Sequence, residues 1–478
     1  MRNRHKHTKP PRIAEWLLGK SISPYDRDIF LGDMEEFFLE RVESGGKNAG
    51  YFWYRVQAVK SIPKIIAHYS FWSIIMMFNS IKLTLRIIRK HRLTSSLNIL
   101  GFAAALACSL FLLFYVNEEF SYDGHITDAE RIFRVTNERF EVNVNRHWAK
   151  TSPPLAQGIL EFFPDIELTG RLVNSSPMVF SALSEFGNTV RFEEDNGVFA
   201  DSSIVTLLEM PFKAGNPDLA FDTPNAIIVS SSMAKRYFGE EDPLGKTISL
   251  DLIGVQLTVT GVFEELPRKS HIHFNYILPM ETFFNFLQQR NLGQLIEART
   301  WAGCYTYIKL LPNADPDKVI NRMDEFTVDF LEEMGSPEEI LANFGLRLQP
   351  LRDIHLDTNL EQDLGPRTSR SMVLAFLIIA VFILIIGSVN FINITIAQMM
   401  QRIRESGIRQ ALGAYKGQLI RQFLRESLII TVISGCLSAV MIYLLLHFYS
   451  IFSGNIVNHS DILSISNILF AITLLLTV

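Results

Sequence analysis

The stretch SMVLAFLIIAVFILIIGSVNFINITIAQMMQ, residues 371–401, is 31 residues long and contains no charged side chain. As a helix it would reach about 46 Å at ~1.5 Å per residue, more than the ~30 Å of a bilayer's hydrocarbon core. Two further runs are of the same kind. Leu97 to Val116 is uncharged, and Leu428 to Phe448 is interrupted only by His447. Three such runs are hard to bury in a water-soluble core, and 48% of the chain is hydrophobic. The expected class is therefore a membrane protein with α-helical transmembrane spans. A fourth run begins near Ile462 and is still apolar at Val478, which leads us to expect the front part of a longer protein. The first span starts too far into the chain to be a signal peptide, and no small-residue cleavage site follows it.

Charge places the segments between the spans. Lys82, Arg86, Arg89, Lys90 and Arg92 precede the first span, and Glu118, Glu119 and Asp123 follow it. Arg402, Arg404, Arg409, Lys416, Arg421 and Arg425 follow the second. Basic flanks favour the cytoplasmic side, so the N-terminus and the segment between spans two and three are expected there. The block between spans one and two is then extracytoplasmic. The reading divides the chain into a small cytoplasmic helical domain over 1–78, a basic amphipathic helix with the first span over 79–116, an extracytoplasmic domain over 117–370, and a transmembrane region over 371–478. In that last region the spans fall at about 372–397, 428–449 and 466–478, the third incomplete, with a cytoplasmic segment at 402–427.

Inside the outer block, strand patterns fall at 132–137, 226–229, 256–263, 276–279, 304–310 and 345–350. Helix patterns fall at 153–163, 232–238, 281–289 and 315–333. Their irregular alternation predicts a large α+β domain, in two subdomains. Cys304 is the block's single cysteine, so no disulfide can form within it. In the N-terminal domain Met34, Phe38 and Val42 stand at helical spacing, with a start at Ser23-Pro24 and a stop at Gly45-Gly46.

Motifs for chemistry are few. GEEDPLGKT, residues 239–247, ends as a phosphate-binding loop does. Five residues instead of four separate its glycines, however, and Pro243 removes an amide donor. It reads as a turn between a helix and a strand. His271 and His273 would share one face of a strand and could hold a metal, but no third ligand stands near, and polar side chains on a strand edge are the expectation. The basic tail RNRHKHTK reads as a cationic tail. The acidic pairs Glu118-Glu119 and Glu264-Glu265 read as solvated charge. No nucleophile elbow or zinc-helix motif occurs. No catalytic residue, cofactor, metal or nucleic-acid partner is expected. Within the second span Asn390 and Asn393, near Gly387 and Ala397, are costly in hydrocarbon and should pack against another helix. RIRESGIRQALGAYKGQLIRQFLRES, residues 402–427, is basic. It holds a short helical piece ended by Gly413-Ala414 and then an apolar stripe of Leu419, Ile420, Phe423 and Leu424. It is patterned to present a small helix to a partner.

Five segments, in order, resemble ABC-transporter permeases of the MacB/FtsX-like type, in particular the long Bacteroidota permeases. They are NSIKLTLRIIRKHRLTSSLNILGFAAALACSLFLLFYVNEEFSYDGHITDAERIFRV, PNAIIVSSSMAKRYFGEEDPLGKTI, VTGVFEELPRKSHIHFNYILPM, LQPLRDIHL, and AVFILIIGSVNFINITIAQ followed by RIRESGIRQALGAYKGQLIRQFLRESL. The first ~70 residues resemble a permease prefix domain. The resemblance implies a MacB-like periplasmic core domain, residence in the cell inner membrane, and a separate cytoplasmic ATPase subunit as partner. It further implies a permease dimer or an internal duplication, with a periplasmic adaptor or outer-membrane channel as a further partner. The implied function couples ATP hydrolysis on the partner to movement of the outer domain, for export or extraction of a drug, peptide or lipoprotein. It also implies that Glu405, Gly407, Ile408, Arg409, Leu412, Gly413 and Ala414 contact the ATPase. Gln410 departs from the lysine common in the family. The alternative is a transmembrane sensor with a ligand-binding outer domain; the absence of any kinase or cyclase segment weighs against it.

Overall fold

The computed structural model describes residues 9–22, 27–141, 144–184, 186–223, 225–252, 254–412 and 416–453. The basic tail up to Thr8, the Ser23-Pro24 start and the fourth apolar run lie outside those residues. The chain divides into two compact units, one of Met1–Phe111 with Phe382–Val478 and one of Leu112–Val381.

The first unit opens with α1 (Arg12–Ser21) and α2 (Arg27–Lys90), followed by α3 (Arg92–Phe120), which carries the first apolar run. Gly46 interrupts α2 with a φ of 83°, a conformation that costs glycine little. Residues from both sides of the break close one core. Met34, Phe38 and Val42 meet Tyr54 and Ala58, and Ala14 and Leu18 of α1 join them. The helical spacing of Met34, Phe38 and Val42 thus places all three in one core.

The outer unit is a mixed sheet of thirteen strands among the described residues. They are β1 (Ile132–Glu141), β2 (Val144–Trp148), β3 (Ile166–Asn174), β4 (Met178–Leu183), β5 (Thr189–Glu194), β6 (Gly197–Ala200), β7 (Phe212–Gly215), β8 (Ala226–Ser230), β9 (Thr247–Leu250), β10 (Val255–Phe263), β11 (Tyr276–Pro279), β12 (Tyr305–Leu310) and β13 (Phe344–Pro350). Their order is β13-β1-β12-β3-β6-β11-β8-β10-β9-β4-β5, with β2 on β1 and β7 on β10. Interspersed are α4 (Leu155–Phe162), α5 (Ser203–Leu207), α6 (Ser231–Phe238), α7 (Met280–Gln289), α8 (Pro316–Asn321), α9 (Met323–Phe330) and α10 (Pro337–Asn343). The helix expected over 315–333 is broken at Arg322, which separates α8 from α9.

Strand alternation sorts the core. Tyr305 and Tyr307 of β12 and Ile228 of β8 point into one cluster on one face, which also takes Ile132, Leu172 and Ala200. Their neighbours Ile308 and Leu310 point to the other face, where α4, α9 and α10 supply Ile159, Phe326 and Ile340. Ile227 and Val229 also point to that face, at a second cluster closed by Met233 and Tyr237 of α6. The two expected subdomains therefore share one sheet and differ in which core covers its far side.

The GEEDPLGKT turn lies where the sequence places it, between α6 and β9. Ser230 caps α6 by accepting from the Met233 amide at 3.2 Å, and Gly239 ends it at φ 65°. The Gly245 amide donates to the Val259 carbonyl (2.8 Å) and the Leu244 amide to Asp242 (3.1 Å). These amides already donate, one within the turn and one to β10, and are not open to cradle a phosphate.

After β13 come α11 (Arg370–Met400), α12 (Ile403–Ala411) and α13 (Lys416–Ser453). The helices long and apolar enough to cross a bilayer are Arg92–Phe120, Arg370–Met400 and Leu419–Ile451. Phe102 and Leu106 of α3 meet Phe391 of α11 and Ile430 of α13, with the Phe102 and Phe391 rings 4.7 Å apart. Close approach depends on Gly387: a Cβ there would lie 2.4 Å from that of Ala105. One turn below Phe391, Asn98 donates to Thr395 Oγ1 at 3.2 Å. Gly387→Leu should pry this helix pair apart at a cost of about 1–3 kcal/mol. The expected result is a lower melting temperature for the detergent-solubilised chain; an unchanged melt would show that the pair does not close there.

Candidate functional site

The outer unit holds the last residues of α3 in a collar of buried polar contacts. The sequence after the span, NEEFSYDG, carries Glu118, Glu119 and Asp123, and each acid has a partner from a distant loop. Lys269 reaches Glu118 at 2.7 Å. His355 Nε2 lies 2.6 Å from Glu119 Oε2, while its Nδ1–H donates to the Pro366 carbonyl at 2.9 Å. The His355 ring stacks flat on Tyr122, with centroids 3.4 Å apart. Asp123 adopts a φ of 55°, which an Asp tolerates better than most residues. That turn aims its amide at the Lys269 carbonyl (2.6 Å) and its Oδ1 at the amide (3.1 Å) and Nδ1 (2.9 Å) of His271. His271 Nε2 in turn meets Tyr307 on β12 at 3.0 Å.

The return segment to α11 is fixed next to this. Arg134 on β1 is fully buried and forms a two-pronged pair with Asp363, and Gln349 Oε1 accepts from it at 2.7 Å. Tyr305 donates to the Gln362 carbonyl at 2.6 Å, and Arg367 to the Leu360 carbonyl at 2.5 Å. Val116, Leu356 and Val373 then pack where the two spans leave the unit. Within the outer unit, charge-assisted contacts thus hold the last residues of α3 and the segment leading into α11, and the buried ones are strong and hard to dissolve by salt.

Electrostatics follow from burial. Burial pushes the Asp123 carboxyl up, but the charge and hydrogen bonds of His271 outweigh it and hold the carboxyl below its ordinary range. Burial holds the His125 imidazole below its usual value. Burial likewise keeps the Tyr307 phenol protonated and pushes the Cys304 thiol up to about 12, so that cysteine is no nucleophile.

Two expectations are corrected here. Glu119 is buried rather than solvated, because the helix end that carries it is tucked under the outer domain. His271 and His273 do not share a strand face. Their segment is a loop that wraps Asp123, with His271 buried and His273 exposed. No metal-holding group of three or more His, Cys, Asp or Glu side chains occurs among the described residues. Glu265 of the second acidic pair is exposed and accepts from the Ser232 amide at 2.6 Å, at the start of α6.

In the first unit, the segment after the second span forms α12. Ile408 and Leu412, one turn apart, are 63% and 83% exposed. Gly407 has open space where a side chain would be, and Gln410 is exposed. The side chains of Glu405 and Arg409, and all of Gly413 and Ala414, lie outside the described residues. A residue pair not singled out in the sequence anchors this segment: Arg402 meets Glu426 of α13 at 2.6 Å, and Gln422 donates to Glu426 at 2.9 Å. The available signal was an acid standing in a strongly basic stretch. Asn390 and Asn393 are exposed on α11, beside the seam that Gly387, Phe391 and Thr395 make with α3.

Comparison with known proteins matches residues 95–326 to the MacB-like periplasmic core domain and residues 377–478 to the FtsX-like permease C-terminal domain. A probable export ATP-binding/permease protein of Pseudomonas fluorescens is 28% identical over 47% of this chain and 31% of its own. The ABC transporter permease YknZ of Bacillus subtilis is 26% identical over 44% of this chain and 45% of its own. The matched part therefore spans less than half the length of these relatives. The crystal structure of the periplasmic region of MacB from Actinobacillus actinomycetemcomitans aligns with a TM-score of 0.31 and 14% identity, over 46% of this chain and 88% of that one.

Two outcomes test the collar. Asp363→Ala strands the buried Arg134 charge and should cost about 3–5 kcal/mol. Arg134→Met combined with Asp363→Leu should regain most of the lost melting temperature, which no loss of simple packing would do. In a pH series, the folded values of His125 and Asp123 lie below their unfolded ones. Their contributions are therefore full above about pH 6.5 and about pH 4 respectively, and each is lost as the pH falls through the folded value. The melting temperature should hold steady above neutrality and decline on acidification, with His125→Gln removing the earlier part of the decline.

Proposed function

We infer that this chain, which belongs to the MacB/FtsX-like ABC transporter permeases, is the non-catalytic membrane subunit of an exporter whose ATPase resides on another polypeptide. The single observation that carries the reading is α12. An exposed apolar pair, Ile408 and Leu412, sits at the end of a short helix whose start is tied to the next span by Arg402 and Glu426. Apolar side chains left that bare on a small helix suit insertion into a groove of a partner. The tie means that a push on α12 is passed to α13 rather than dissipated in a loose loop.

The same uninterrupted helix, α11, begins in the collar and ends at α12. A partner that closes on ATP binding would displace α12, and the collar would carry that displacement to the outer domain through Glu119–His355 and Arg134–Asp363. In the chain's own Gly-Lys-Thr turn the Leu244, Gly245 and Lys246 amides are already hydrogen-bonded, which supports placing hydrolysis elsewhere. In this reading α12 faces the cytoplasm of an inner-membrane protein, the outer unit is extracytoplasmic, and two permease halves act together. The cargo is of the class such permeases handle, a drug, peptide or lipoprotein. The coupling contacts are those named from the sequence, Glu405 to Ala414, with Arg402 and Glu426 holding them in place.

The test separates docking from transmission. Ile408→Asp with Leu412→Asp should abolish co-purification of an ATPase partner from the native membranes. Glu426→Gln should leave co-purification intact but reduce transport-coupled ATP hydrolysis by roughly tenfold or more, the effect of misplacing a coupling element by about an ångström. Full coupled activity in both variants, or ATP hydrolysis by the chain alone, would overturn the reading.

A further inference from the structure

Between Glu43 and Glu118 the chain has no acidic residue, yet it carries nine basic ones: Lys47, Arg55, Lys60, Lys64, Lys82, Arg86, Arg89, Lys90 and Arg92. The last part of this stretch is the end of α2, which runs directly into the spanning helix α3. Lys82, Arg86 and Arg89 follow one another at spacings of four and three and so line one helix face. They are exposed, as are Lys90 and, at the margin of the same face, Phe78 and Leu85. The other side is turned inward: Thr84 is buried, and Ile81, Leu83, Ile87 and Ile88 are half-buried. Among the described residues none of these cations forms an ion pair, whereas the basic segment after α11 does hold one, Arg402 with Glu426.

A flank that merely fixes topology needs positive charge but no particular face. Here the cations are gathered on one exposed face of a helix that continues into a span, beside exposed apolar side chains that suit the boundary of headgroups and tails. We propose that Lys82, Arg86, Arg89 and Lys90 form a docking surface for anionic phospholipid headgroups in the leaflet next to the N-terminal helices, so that the end of α2 lies along the membrane. Four exposed cations with no ion pair among the described residues attract phosphodiester headgroups. The adjoining span fixes the face at headgroup depth, within a Debye length of the leaflet's charge. The proposal rests on the membrane reading and not on an ATPase partner.

The experiment uses the full chain in a nonionic detergent, offered phosphatidylglycerol and phosphatidylcholine in equal amounts, with retained lipid measured by mass spectrometry. The expected result is a preference of roughly tenfold or more for phosphatidylglycerol at low salt, shrinking as salt is raised. Each of Lys82→Gln, Arg86→Gln and Arg89→Gln should reduce it by roughly fivefold. Lys235→Gln, on the outer domain, should leave it unchanged. Equal retention of the two lipids, or a preference that neither salt nor the single substitutions alter, overturns the proposal. So does a soluble polyglutamate peptide that displaces the lipid at equal charge concentration, since the face would then suit an acidic protein segment. The salt series on the unsubstituted chain decides the matter even where a variant fails to fold.

Discussion

The chain leaves the first span carrying three carboxylates within six residues, and the structure removes two of them, Glu119 and Asp123, from water. A buried carboxylate is tolerable only when partnered. Each therefore demands a histidine from a distant loop, and those two demands bring the loops around 271 and 355 onto the end of α3. Once those loops are seated, His271 reaches Tyr307 on β12, and Arg134, directly across from Tyr307 on the neighbouring strand β1, meets Asp363. The packing of these loops on the end of α3, within the outer unit, is a consequence of where these acids are allowed to be.

Such an arrangement is costly as stability and useful as a grip. Replacing a buried ion pair by apolar residues of the same volume is often neutral or stabilising, so Arg134 and Asp363 are not needed merely to fill space. They impose one register on the segment that returns to α11, because only one placement satisfies both prongs and the Gln349 bond. A hydrophobic patch would allow sliding. Under the proposed function, a contact without slippage is what passing displacement from helices to a sheet would require. The first unit repeats the device on a smaller scale at Arg402, Glu426 and Gln422.

The exposed surfaces divide by chemistry in the same way. Ile408 and Leu412 offer apolar area, the end of α2 offers cations, and Asn390 and Asn393 are exposed among the described residues of α11. In a bilayer, amides gain by finding partners, and the second permease half proposed above would supply one.

By itself the sequence determined whatever depends on neighbours along the chain. The three spans could be read because hydropathy is summed over one helix. The N-terminal core could be read because Met34, Phe38 and Val42 recur at one period. The false phosphate loop could be read because Pro243 and the glycine spacing act locally. Strands β8, β10, β11 and β12 were legible as apolar runs, whereas β3, β4, β5 and β6 were missed, being short or studded with Gly, Ser and Glu, and defined only by the strands beside them. Only the tertiary structure decided the collar. His271 and Asp123 are 148 residues apart, His355 and Glu119 are 236 apart, and Arg134 and Asp363 are 229 apart. No local rule distinguishes an acid that will be buried from one that stays in water; the difference arises when a remote loop arrives with the proton donor that makes burial affordable.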